Sequence, residues 1–176
     1  MIRTKTSPHR NCGPSAFIGI GSNIGDRHGN CKSSIDHILS DDRAEFSALS
    51  SFYLTSPVSP VPQGDFLNCV LQIRWGGSAL ELLELLRRVE EALGRVRDVP
   101  QGPRVIDLDI LLMDDLVVES PELTVPHPRL HQRKFTLVPI LEIDSSVVHP
   151  RLRRPLKELL DEIGGEQKIE IYDGAP

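Results

Sequence analysis

Asp107 and Asp109 stand two residues apart inside a run of strand formers, Gly102-Pro103-Arg104-Val105-Ile106-Asp107-Leu108-Asp109-Ile110-Leu111-Leu112. Side chains alternate across a strand, so both carboxylates project from one surface while Ile106, Leu108 and Ile110 face a core. Two aspartates held together repel unless a cation lies between them, and a hard divalent ion such as Mg2+ suits an all-oxygen pair. Arg104, three residues earlier, adds a donor matched to phosphate. The bland alternative is a solvated strand face carrying two incidental acids.

Three further clusters carry chemical potential. Arg95, Arg97 and Arg104 fall within ten residues that also hold Gly94, Pro100, Gly102 and Pro103. Such a loop can move, and its arginines beside a carboxylate pair would bind polyphosphate and offset charge developing during phosphoryl transfer; alone, they read as surface arginines on a solvated loop. Pro126-His127-Pro128-Arg129, followed by Arg133 and Phe135, forms a second cationic and aromatic group, with His127 held in an extended turn by its prolines. The Thr55-Ser56-Pro57-Val58 loop and Phe66-Leu67-Asn68 form the third. An Asn amide donates and accepts at once, which suits a heterocycle, and Phe66 offers a stacking face unless it belongs to the core. Gly21-Ser22-Asn23-Ile24-Gly25 resembles a phosphate cradle only weakly, because it lacks the Gly-Lys-Ser/Thr ending of a Walker A loop; a tight strand-to-helix turn explains its glycines as well.

The elements that must position these groups follow from periodicity. Residues 16–20 read as a buried strand, 28–39 as a helix, and 46–54 and 66–75 as strands separated by a loop with three prolines. Ser78 and Glu81 form a capping box opening a helix whose buried stripe is Leu82, Leu83, Leu86, Val89 and Leu93, with Gly94 placed to end it. The Asp-Leu-Asp strand completes a β-α-β-β-α-β order, the ferredoxin-like signature. A short apolar patch follows at 116–118, then helices over about 132–142 and 155–163. The expected class is α+β: an antiparallel sheet with helices on one side and functional loops on the other.

Composition narrows the function classes. The chain has 176 residues, 39% hydrophobic and 26% charged, with a formal charge of −5. That length suits a single domain over residues 16–176, preceded by a polar, basic stretch at 1–15 that reads as a disordered extension. The acidic balance argues against a nucleic-acid binder, so any anion site must be locally basic. No apolar run is long enough to span a bilayer. Cys12, Cys31 and Cys69 form neither a disulfide framework nor a zinc pattern, which implies a reducing, cytoplasmic setting.

Taken together, these segments resemble the 6-hydroxymethyl-7,8-dihydropterin pyrophosphokinase family of folate biosynthesis. The resemblance runs in order from about Ala16 to Pro150. It passes through Gly21-Ser22-Asn23-Ile24-Gly25-Asp26-Arg27, Ser51-Phe52-Tyr53-Leu54-Thr55, Phe66-Leu67-Asn68, Glu90 with Gly94-Arg95-Val96-Arg97, residues 102–112, Pro126-His127-Pro128, and Arg133 with Phe135. The 102–112 segment is its most specific part. The resemblance implies a ferredoxin-like fold and transfer of pyrophosphate from ATP to the pterin hydroxymethyl group, leaving AMP. It implies that Asp107 and Asp109 hold two Mg2+ ions and that Arg95 and Arg104 engage ATP from a mobile loop, these four being the catalytic set. It places Thr55, Ser56, Pro57, Val58, Phe66, Asn68 and Phe135 on the pterin. Around the nucleotide it places Arg87, Glu90, Arg97, Arg104, Ile110, Thr124, His127 and Arg133. ATP and the pterin are then the only partners expected of a monomer, with no nucleic acid and no membrane.

This chain departs from some relatives at Gln101, where they carry an aromatic in a longer loop, at Pro128, and at Glu122, where they carry a base that touches ATP. A competing reading is a non-catalytic ferredoxin-like module that keeps a pterin or nucleotide pocket without turnover. The adjacency of Asp107, Asp109, Arg95 and Arg104 weighs against it. An RNA-binding ferredoxin-like domain is disfavoured by the charge and by the lack of an RNP-type aromatic segment.

Overall fold

The computed structural model describes residues 13–57, 61–95, 102–165 and 167–174. In chain order its first half contains β1 (Ser15–Ser22), α1 (Arg27–Leu39), β2 (Ala44–Leu49), β3 (Tyr53–Thr55), β4 (Phe66–Trp75) and α2 (Ala79–Ala92). Its second half contains β5 (Asp107–Met113), the two-residue strands β6 (Val118–Glu119) and β7 (Thr124–Val125), a 3-10 turn at Leu130–Gln132 and α3 (Lys134–Ile143). The strands β8 (Val148–His149) and β9 (Arg154–Pro155), α4 (Leu156–Asp161) and β10 (Ile169–Ile171) follow. The main sheet is antiparallel in the order β10-β3-β4-β1-β5, with β2 also paired to β4. This is the expected ferredoxin-like α+β arrangement, with β4 at its centre and β1 between β4 and β5.

Alternation along β1 explains the layers. Ile18 and Ile20 point to one face, where they meet Leu71 and Ile73 of β4, Leu108 and Ile110 of β5, and Leu82 and Leu86 of α2. Phe17 joins a second cluster with Val70, Leu111 and Leu112, covered by Leu137 and Ile140 of α3 and Leu156 and Leu159 of α4. The face expected to carry only loops therefore also carries helices. They cover one part of it, and the remainder is the open floor described below.

Three local expectations are revised. The strand read over 46–54 is two strands, because at residue 50 the side chain replaces the backbone: Ser50 Oγ accepts from Val70 N at 2.9 Å, while Ser50 N donates to Val70 O at 3.0 Å. Glu142 of α3 then accepts from Ser51 N, Ser51 Oγ and Tyr53 Oη, holding the chain where β3 begins. Helix α2 opens with the expected capping box at Ser78 and Glu81, and Gly94 adopts φ +81° just past its end. Its buried face is rotated, however: Leu85 and Glu90 are buried, while Leu83 and Leu93 are only half-buried. A hydrophobic pattern cannot register Glu90, since a carboxylate enters a core only with partners that composition does not reveal. Finally, Ser15 opens β1 instead of closing the N-terminal extension; residues 1–12, including Cys12, lie outside the described part.

Candidate active site

The pairing register of three strands builds the floor of a cleft of about 380 Å3. Gly21 of β1 pairs with Asn68 of β4 on one side and Asp107 of β5 on the other, and Gly19 pairs with Val70 and Asp109. The two rows lie two residues apart, so all six positions share a face. At their centre β1 presents no side chain. A Cβ on Gly21 would stand 2.6 Å from Asn68 Oδ1, and one on Gly19 would press on the Leu111 side chain at 3.2 Å. Strands are spaced about 4.8 Å apart, so the amide of Asn68 and the carboxylate of Asp107 face each other across about 10 Å of bare backbone. The glycine expected to start a loop is therefore strand floor, and Gly19-x-Gly21 at strand spacing was the signal that could have revealed it.

Asn68 has a defined orientation. Its Nδ2 donates to Thr55 Oγ1 at 2.6 Å, which leaves Oδ1 over Gly21 as an acceptor toward the cleft. Ser56, Pro57, Phe66 and Phe135 line the same cleft.

At the other end, Asp107 is gripped by two arginines. Arg104 Nη1 donates to Oδ2 at 2.5 Å and Arg95 Nη1 lies 2.8 Å from Oδ1. Arg95 also pairs with Glu90, whose Oε1 accepts from Leu108 N at 2.8 Å. Glu90 thus holds the backbone between the two aspartates and one of the arginines through a single carboxylate. Asp109 keeps 42% of its side-chain exposure, through the mouth of the cleft. Protein on its other sides, and Asp107 beside it, push its carboxyl up to about 6, against the pull of Arg133 and Arg104.

A bulge places His127. Between Phe17 and Ile18 of β1 the β5 register skips Leu111, whose freed carbonyl accepts from His127 N at 2.9 Å. His127 Nδ1 accepts from Arg129 N at 3.1 Å, so the ring proton sits on Nε2, 3.8 Å from Asp109 Oδ2. Burial, then Arg133 and Arg129, lower the ring's pKa to about 4, and the imidazole is neutral at pH 7. Arg133 breaks the helix expected over 132–142. Its extended backbone (φ −125°, ψ 109°) separates the 3-10 turn from α3, and its guanidinium lies 5.3 Å from the Phe135 ring centre. Burial and Arg129 depress its pKa.

The Gly21 to Gly25 segment proves to be a staple. Asn23 N donates to Arg104 O at 3.1 Å and Asn23 Oδ1 accepts from Arg104 N at 2.7 Å, while Asn23 Nδ2 donates to Gln63 Oε1 at 2.9 Å. Asn23 therefore joins the loop ahead of β4 to the loop ahead of β5. Sequence reading missed Gly19 and Gln63 as cleft residues, and Gln63 carries no distinctive spacing to the others.

Of the residues singled out from sequence, the cleft brings together Thr55, Ser56, Pro57, Phe66, Asn68, Arg87, Glu90, Arg95, Arg104, Asp107, Asp109, His127, Arg133 and Phe135. It does not bring Ile110, whose side chain is in the core against α2, nor Thr124 of β7. Val58, Arg97 and Gln101 lie outside the described residues. The described lining carries five arginines (87, 95, 104, 129, 133) against three carboxylates (90, 107, 109), a local cationic excess in a chain of charge −5. Such a wall suits a polyanion. Among the described residues no group of three or more His, Cys, Asp or Glu side chains could hold a metal on its own. The aspartate pair nonetheless fits Mg2+, which is held by one or two carboxylates together with water and substrate phosphates. Also among them, no helix is long and apolar enough to cross a membrane.

Residues 17–145 match the family model for 7,8-dihydro-6-hydroxymethylpterin-pyrophosphokinase. The chain is similar to the 2-amino-4-hydroxy-6-hydroxymethyldihydropteridine pyrophosphokinase of Bacillus subtilis, 41% identical over 75% of this chain and 79% of that protein. It is also similar to that of Aquifex aeolicus, 38% identical over 84% and 91%. A folic acid synthesis protein of Schizosaccharomyces pombe is 36% identical over 89% of this chain, which spans only 21% of that protein's length. The fold matches the crystal structure of wild-type Plasmodium falciparum HPPK-DHPS with pteroate, with a TM-score of 0.68 at 12% identity, covering 88% of this chain and 45% of that one.

Proposed function

This chain belongs to the 7,8-dihydro-6-hydroxymethylpterin-pyrophosphokinase family, and on that premise we infer that it transfers the pyrophosphoryl group of ATP to the hydroxymethyl oxygen of 6-hydroxymethyl-7,8-dihydropterin, releasing AMP, with Mg2+ as cofactor. The observation that carries this reading is the row Asn68–Gly21–Asp107, which puts a heterocycle-reading amide and a carboxylate among arginines on one continuous floor. In the reaction the hydroxyl oxygen bonds to the β-phosphorus as the bond to the AMP oxygen breaks, so the protein's work is alignment and charge stabilisation.

Asn68 Oδ1 accepts an N–H of the pterin, its orientation held by Thr55, while Phe66 and Phe135 supply stacking faces. Asp107 and Asp109 would hold two Mg2+ ions, and the chemistry such ions would supply there is neutralisation of phosphate charge. Arg95 and Arg104 exchange their grip on Asp107 for the phosphates, and Arg87, Glu90, Arg129, Arg133 and neutral His127 surround the nucleotide.

Incubation with ATP, Mg2+ and the hydroxymethyl dihydropterin, followed by separation of products, tests the reading. AMP and pterin diphosphate in equal amounts are expected; ATP binding without AMP would instead point to a binding module. Gly21→Ala is expected to weaken pterin binding about 10-fold, roughly 1.4 kcal/mol, because its Cβ displaces Asn68 Oδ1. Fluorescence titration of the pterin would read this, and an unchanged affinity would remove Asn68 from the assignment.

A further inference from the structure

Helix α3 begins without a cap of its own: Arg133, at its N-cap position, makes no side-chain hydrogen bond to the first turn. A helix start leaves backbone N–H groups unpaired, and a side-chain oxygen usually answers one of them. Here the oxygen comes from Gln167, thirty-three residues further along the chain. Gln167 Oε1 accepts from Lys134 N at 2.8 Å, and Gln167 Nε2 donates to Gln132 O at 2.8 Å. The two bonds straddle Arg133, clamping the backbone where the 3-10 turn breaks into α3.

Two residues later the same segment becomes the outermost strand of the sheet. Ile169 pairs with Thr55, Glu170 with Leu54 and Ile171 with Tyr53, and Tyr172 N donates to Phe52 O at 2.8 Å. Thr55 orients Asn68, and Phe135 and Arg133, at the start of α3, line the same cleft. Residues 167–172 therefore bond both to the start of α3 and to β3, and they lie beyond the 17–145 segment that matches the family.

We propose that Gln167 is a positioning residue: it caps α3 from a strap that is also bonded to β3, and so sets the Phe135 and Arg133 wall against the Thr55 and Asn68 wall of the heterocycle pocket. The proposal rests on the functional reading above for the identity of the heterocycle. Displacing a stacking wall weakens the ground state and the transition state alike, so the loss falls on KM. The polyphosphate end, with its other arginines, is less affected.

Gln167→Ala is expected to raise the KM for the pterin about five-fold or more and the KM for ATP by a smaller factor, through Arg133, while kcat changes by less than about two-fold. Gln167→Glu keeps the acceptor at the helix N-terminus, where negative charge is favoured, but loses the donor to Gln132 O, and is expected to return the pterin KM part of the way to the parent value. Hydrogen exchange of the Lys134 amide, which needs no substrate, is expected to quicken in the alanine variant and to recover in the glutamate variant. A parent-like pterin KM in Gln167→Ala, a glutamate variant as impaired as the alanine one, or unchanged Lys134 exchange would each overturn the proposal. If the parent chain makes no AMP, the functional reading fails separately, and the exchange rates alone then decide the strap.

Discussion

Replacement of Asp107 or Asp109 by alanine is expected to lower AMP formation by about 1,000-fold or more, equivalent to roughly 4 kcal/mol of transition-state stabilisation, with the fold retained. Neither carboxylate sits in a core cluster, and both occupy the open floor where β5 meets the cleft. Loss of Asp107 frees Arg95 and Arg104 from a partly exposed ion pair, which costs on the order of 1 kcal/mol of stability or less. Arg95 retains Glu90 as a partner. The two variants separate in their ligand-free behaviour. Without Asp107 the carboxyl of Asp109 loses a like-charged neighbour and its pKa falls toward the ordinary range, whereas without Asp109 the arginine grip on Asp107 stays. Product analysis by chromatography and Mg2+-dependent titration of a non-hydrolysable ATP analogue measure the effect. A variant that turned over at the parent rate, or bound the Mg2+ nucleotide as tightly, would remove that aspartate from the metal site.

Arg104→Ala is expected to lower kcat about 100-fold with pterin affinity within about two-fold of the parent, because the guanidinium acts on charge that develops at the phosphates. Its backbone is stapled on both sides by Asn23, so the side chain swings from a fixed point between Asp107 and a bound phosphate. Arg104→Lys keeps the charge and loses the planar fork, and an intermediate kcat is expected. Single-turnover measurement with saturating ATP distinguishes these cases. If the alanine variant lost pterin binding and kept kcat, Arg104 would belong to the heterocycle end of the cleft.

Much of this protein is legible residue by residue. Asp107 and Asp109 share a face because strands alternate, whatever their neighbours do, and the capping box at Ser78 and Glu81 is a local bond that forms wherever that helix starts. The β-α-β-β-α-β order and the family resemblance rest on such local patterns and on the order of the motifs. Glu90 is different. Its burial depends on the Leu108 N–H arriving from β5 to join Arg95, and nothing near residue 90 announces that backbone donor. The same holds for Ser50, where a side chain replaces a ladder bond and divides one apparent strand into two.

The chain's linear pattern thus determines the element types, the carboxylate pair, the arginines available to it, and the family. Tertiary structure alone decides how these meet. Register sets Gly21 between Asn68 and Asp107, the skipped residue Leu111 hands its carbonyl to His127, and Asn23 fastens Arg104 to the loop before β4. Gln167 reaches back to cap α3 beside Phe135. The physical reason is range. Alternation and capping are satisfied within a few residues of one another, whereas register, bulges and caps supplied from a distance are chosen by which distant backbone groups would otherwise be buried without a partner.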